Sequence, residues 1–173
     1  YWLAELPGTL AGPLRSKGEM HNERLQLSAL LDLKGRLRGQ PAVLKAEAEG
    51  AGDSWTLGAL AIQLGDNRIN GSGSLQQSLA GRIDLDMPRL GQLWPRLQGQ
   101  VKGRLDLAGT LQAPQGTLSV QGQQLAQADN RVQRLDLDAR LDSAQRGQLT
   151  LKAGNIRLGE TSLGDLNIAG KGD

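Results

Sequence analysis

Cysteine is absent from the 173 residues, and so is phenylalanine. Without cysteine there is no disulfide, no thiolate metal site and no thiol nucleophile, although this does not fix the compartment. Aromatic residues make up 2% of the chain, whereas a compact β-sandwich draws much of its core volume from them. The apolar mass must come from Leu, Ile, Val and Ala, which suits a broad aliphatic surface. No apolar run approaches the ~18 residues of a membrane-spanning helix, and no signal peptide is recognisable. The chain starts YWLAELPG, without an initiator Met, and stops inside an alternating segment. It is therefore expected to be a piece of a longer protein, with any targeting or anchoring segment outside it. An excess of one charge is also missing: 20 basic and 18 acidic residues give a net charge of +2. With no basic stripe among them, nucleic-acid binding has little support.

What the sequence does have is alternation. Glycine, at 24 residues, is about twice as frequent as usual, and leucine recurs at every second position over long stretches. Side chains of a strand alternate between faces. In VKGRLDLAGTL, Val101, Gly103, Leu105, Leu107, Gly109 and Leu111 therefore share one face, opposite Lys102, Arg104 and Asp106. The longest such run places Leu25, Leu27, Leu31, Leu33 and Leu37 on one face, and only Leu30 interrupts the polar one. A turn is expected at Gly39-Gln40-Pro41. Between Ala59 and Leu60 the apolar phase slips by one, which predicts either a β-bulge or a break into two strands. Further apolar rows are Ile69 and Leu75; Ile83 and Leu85; Leu118 and Val120; Leu135, Leu137 and Leu141; Leu149 and Leu151; and Leu166 and Ile168. Together these residues are the candidate lining of one continuous apolar groove.

Two stretches depart from alternation. Leu3 and Leu6 precede Pro7-Gly8, suggesting a helical turn at 2–6. Leu90, Leu93 and Trp94 have i, i+3, i+4 spacing between Pro88 and Pro95, predicting a short helix at 88–95 that packs on the groove as a cap or plug. Leu10, Gly12 and Leu14 match Leu97, Gly99 and Val101 at an offset of 87. The chain thus divides into two repeat units, 1–87 and 88–173, within one continuous domain. The expected fold is all-β: an elongated, curved, open sheet with an aliphatic concave face and one or two short helical turns.

Candidate chemistry is sparse. His21, the single histidine, belongs to a probable turn at Met20-His21-Asn22 with no Ser/Asp constellation. The Asp84/Asp86 and Asp136/Asp138 pairs face water, where nothing raises a carboxyl pKa for acid catalysis. Gly71-Ser72-Gly73 lacks the lysine and helix of a phosphate loop. No catalytic residue, metal site or cofactor is indicated, and an enzyme is not expected. Three readings of the aliphatic face stay open. It can accept acyl chains; it can scaffold unfolded strands, through the groove or through sheet edges; or it can bury itself in a closed solenoid that serves as an inert spacer.

The stretch Leu90-x-x-Leu93-Trp94-Pro95-x-Leu97-x-Gly99-x-Val101-x-Gly103-Arg104-Leu105-x-Leu107-x-Gly109-Thr110-Leu111-x-x-Pro114-x-Gly116-x-Leu118-x-Val120 resembles the TamB (translocation and assembly module) family of AsmA-like, repeating β-groove proteins. The partial copy at 3–14 and an echo at 73–85 extend the resemblance over most of the chain. It implies an inner-membrane-anchored, periplasm-spanning protein of Gram-negative bacteria with a greasy half-pipe. Phospholipid is the implied cargo, moving towards the outer membrane. The implied partners are an outer-membrane barrel called TamA, engaged by regions outside this piece, and unfolded outer-membrane proteins.

Overall fold

A computed structural model describes residues 7–21 and 24–172. Trp2, Leu3, Leu6, the helical turn expected at 2–6 and Asn22 lie outside the described residues. The alternating segments form twelve strands of one antiparallel sheet. In chain order they are β1 (Gly8–Ala11), β2 (Leu14–His21), β3 (Arg24–Leu37), β4 (Gln40–Ala51), β5 (Ser54–Leu64), β6 (Asn67–Leu75), β7 (Leu79–Met87), β8 (Leu97–Gly109), β9 (Pro114–Gln127), β10 (Asn130–Leu141), β11 (Gly147–Leu158) and β12 (Thr161–Gly172). From β3 onward each strand pairs with the next, while β1 and β2 share one side of β3. Pro13 separates these two short strands, since proline removes a ladder donor; its carbonyl still accepts from Asp32 N at 3.1 Å.

The sheet is open. Its two outer edges do not pair with each other, which overturns the closed-solenoid reading. The accessible surface is 12228 Å2, against about 8,200 Å2 expected for a compact monomer of 18.4 kDa. Consistent with that excess, Ala42, Leu64, Leu90 and Ala153 are the buried apolar residues among those described.

Short connections set the meander. Arg38 and Gly39 have φ of 50° and 73°, the paired left-handed residues of a primed two-residue hairpin. The turn is therefore one residue earlier than expected, and Gln40 already belongs to β4. The phase slip in β5 is a bulge inside one strand: Glu47 faces Ala59 and Ala48 faces Leu57, so Gly58 is the extra residue. The strand is not broken. Across the offset boundary, β7 and β8 pair directly from Gly81–Leu107 to Met87–Val101.

The helix expected at 88–95 is only a 3-10 turn, Leu90–Gln92. Two prolines bracket too few residues to repay helix nucleation. Two backbone carbonyls there serve other elements instead: Arg89 O accepts from Asn67 and Leu93 O from Arg38.

Candidate functional site

Antiparallel register turns the alternation into rows that cross the whole sheet. One row takes one residue from each of β3 to β12: Leu33, Leu44, Ile62, Ile69, Leu85, Gly103, Val120, Leu137, Leu151 and Ile168. Its neighbour runs Leu14, Leu31, Ala46, Leu60, Gly71, Ile83, Leu105, Leu118, Ala139, Leu149 and Gly170. At ~4.8 Å between strands, the first row is a track of roughly 43 Å. Because cross-strand partners share a face, every member of a row is on the same side of the sheet.

The remaining candidate lining residues belong to parallel rows. Val101 and Leu135 flank Gly122, with Ala153 and Leu166 beyond. Leu107 and Leu141 flank Gly116. Leu27 faces Gly50, which pairs with Trp55 and so leads to Leu75. Leu25 faces Met20, and Leu37 closes β3 opposite Gln40. Leu111 is the exception. It sits beyond the end of β8, 64% exposed, in a loop closed by Thr110 N to Ala113 O at 3.2 Å. The alternation there continues in sequence but not in space, because Gly109 takes φ of 94° and turns the chain away.

Apart from the β7–β8 connection at one end, no described layer covers the face. Leu25, Leu27, Leu149, Leu166 and Ile168 are all exposed large apolar side chains. Over β8 to β12 the face forms an open depression of about 760 Å3, lined by Leu105, Leu107, Leu118, Leu141 and Leu149 around Gly116 and Gly147. That volume lies in the range of small-molecule sites. Leu14, Met20, Leu44 and Ile62 belong to the same face but were not among the candidates. Their alternation carried the same signal.

At one end, the β7–β8 connection folds onto the apolar side as a strap. Asn67, 3% exposed, pairs with Leu64 and so shares the apolar face. Its Nδ2 donates to Arg89 O at 2.9 Å, Gln92 Oε1 at 3.1 Å and Leu64 O at 3.2 Å, while its Oδ1 accepts from Arg89 N at 3.1 Å. Gln92 grips the β5–β6 turn in return. Its Oε1 accepts from Asp66 N at 2.8 Å, and its Nε2 donates to Asp66 Oδ2 at 3.1 Å. Arg89 adds an ion pair to Asp66 at 3.0 Å. Arg38, in the β3–β4 turn, donates to Leu93 O at 2.9 Å. Among the candidate plug residues, Leu90 is 5% exposed and Trp94 42%; Leu93 is half-buried.

The opposite face is a lattice of charge. Arg82 faces Asp106, Asp84 faces Arg104 and Asp86 faces Lys102 on successive rungs of β7 and β8. The N···O separations are 2.7, 2.7 and 3.7 Å. The hydrogen bond that Arg82 Nε donates to Asp106 raises the Arg82 pKa above its ordinary value. The carboxylates of Asp84 and Asp86 are thus engaged by cations, and Asp136 by Arg134 at 2.6 Å. Among the described residues, no group of three or more His, Cys, Asp or Glu is arranged to hold a metal ion.

This arrangement offers extended apolar contact across the sheet. A family model described as "TamB, N-terminal domain" matches residues 1–173. The chain is also similar to the "Translocation and assembly module subunit TamB" of Haemophilus influenzae, 29% identical over 180 residues, covering 98% of this chain and 14% of that protein. The chain therefore spans about one seventh of that relative's length. No solved structure matches.

Proposed function

Because the chain belongs to the TamB N-terminal domain family, we propose that it is one segment of a periplasmic bridge carrying phospholipid acyl chains between the inner and outer membranes. The longer protein is inner-membrane-anchored in this reading, belongs to a Gram-negative envelope, and engages a TamA-like barrel outside this segment. The chain performs no chemistry of its own. One observation supports the reading above all: a continuous aliphatic face crosses the sheet from β3 to β12, and among the described residues only the strap at one end covers it. Acyl chains supply the missing layer at ~25 cal/mol per Å2 of apolar area removed from water. Rows of Leu and Gly without polar anchors favour sliding over tight binding.

The test is lipid recovery. The intact protein, purified from cells and extracted, should yield phospholipid by mass spectrometry. Leu137→Asp, on the β10 part of the track, should cut the yield several-fold. Finding no phospholipid in the unaltered protein would sink the proposal.

A second reading has an open sheet edge accept a strand of an outer-membrane protein. Every described residue of β12 is exposed, and an unpaired edge templates strand addition. Photocrosslinks from Leu137 to nascent barrel protein instead of lipid would favour it.

A further inference from the structure

Charges on the polar face follow one rule with one exception. The ladder of β7 and β8 and the Asp32–Lys45 rung of β3 and β4 set opposite charges against each other. On β10 and β11, Arg131 instead faces Arg157 directly. It is the one described rung that sets a Lys or Arg against another. Like charges in register destabilise a sheet, and among the described residues neither guanidinium has an ion-pair or hydrogen-bond partner.

The backbone is unusual at the same place. Two residues away, the β9–β10 and β10–β11 ladders each skip one rung, where Gln133 lies level with Gln124 and Asn155, while β8 and β9 shift register between Gln98 and Gln100. Gln124 and Asn155 both take φ of 52°, a conformation that costs a non-glycine residue energy and clusters at functional sites. Three adjacent irregularities open a depression of about 570 Å3 between the strands. Its polar lining is Arg131, Arg157, Gln98, Gln124, Gln133, Asn155 and Ser162, with no carboxylate. Asn155 Nδ2 donates to Gln133 Oε1, and Asp165 Oδ1 accepts from Asn155 N at 2.9 Å. The first bond holds the two side-chain amides against each other, and the second ties the Asn155 backbone to β12.

We propose that this depression binds a phosphate ester, with Arg131 and Arg157 taking the phosphate oxygens and the amides and Ser162 taking neighbouring hydroxyls. Guanidinium forks match phosphate geometry and tolerate close approach once an anion lies between them. Two sources share this chemistry. One is a soluble phosphate ester. The other is the headgroup of a lipid on the apolar face, reaching over the rim formed by the nearby β9–β10 and β11–β12 turns. The site itself stands without the lipid reading; only the second source rests on it.

Titration of the intact protein with glycerol 3-phosphate tests the site. Saturable binding is expected, weakened at least ten-fold by Arg131→Gln or Arg157→Gln and partly restored by Arg157→Lys. Arg36→Gln, the same charge change elsewhere on the polar face, should leave it intact. No saturable binding, or equal loss with Arg36→Gln, overturns the proposal. Equal affinity for an oligoglutamate peptide overturns it too, since the site would then read charge alone.

The source is separated by measuring phosphatidylglycerol recovered with the purified protein. Parallel loss in the arginine variants identifies the headgroup, whereas unchanged recovery with impaired glycerol 3-phosphate binding identifies the soluble ester. Leu137→Asp should empty the apolar face and leave glycerol 3-phosphate binding unchanged, so failure of the lipid proposal is distinguishable from failure of this one.

Discussion

The strap end of the apolar face and the open track beside it are built from the same residue types, yet they behave as opposite materials. At the strap, Leu64 and Ala42 of the sheet and Leu90 of the strap itself are each under 10% exposed, and Asn67 is engaged by the strap's backbone. On the track, leucines in identical strand positions stay half-buried or open, Leu149 at 43%. The difference is a covering layer a few residues long. A strand supplies an apolar face; whether that face becomes core or surface depends on what else the chain can bring to it. Among the described residues, the strap covers one end and the remainder stays open.

Truncating leucines on either side of that divide gives the largest expected effect. Leu90→Ala should cost about 3 kcal/mol in urea unfolding, as for a buried core leucine. Leu137→Ala, which leaves no sealed cavity, should cost about 1 kcal/mol or less. Equal losses would mean that the track is packed as a core and would remove the contrast.

A smaller effect is expected on the charged face. Arg104→Ala should cost less than about 1 kcal/mol, because the Asp84 pair is exposed on both sides and screened by solvent. The loss should shrink further in high salt. A larger, salt-insensitive loss would show the ladder to be a structural counterpart of the strap.

The smallest effect is local, at the far end from the strap. Hydrogen bonds from Arg146 N and its guanidinium, with Ala144 N, lower the Asp142 pKa below the ordinary 3.8. A depressed carboxyl stabilises the fold above its unfolded pKa and loses that contribution as pH falls through the lower folded value. The 142–146 loop should therefore keep its closure at pH 4 and loosen only below 3.8. The Ala144 and Arg146 amide shifts in an NMR titration report this.

Much of this was legible beforehand because period-two patterning survives one register slip at a time. The Ala59/Leu60 phase slip was visible, and Gly58 is the extra residue. The aligned irregularities at Gln124, Gln133 and Asn155 were missed, although each leaves a mark. Gly122 to Leu125, Val132 to Leu135 and Ala153 to Ile156 are all three-residue steps in the apolar row. Such a step inside one strand looks like noise. Its meaning appears only when register sets three of them side by side, as for Val132 between Leu125 and Ile156. The opposition of Arg131 to Arg157 was hidden for the same reason, being a relation between strands 26 residues apart in number. Leu111 shows the converse failure, a correct pattern continued past the point where Gly109 had already turned the chain.

By itself, then, the sequence determined the strands, the two chemical faces and the poverty of core, because side-chain alternation is a local property of extended backbone. Tertiary structure alone decided that the sheet stays open, that Asn67 captures the 88–96 segment over one end, and that two arginines meet beside a skipped rung of the ladder. Those depend on register and on chain returning from far away. No local pattern encodes the distance between Arg38 and Leu93.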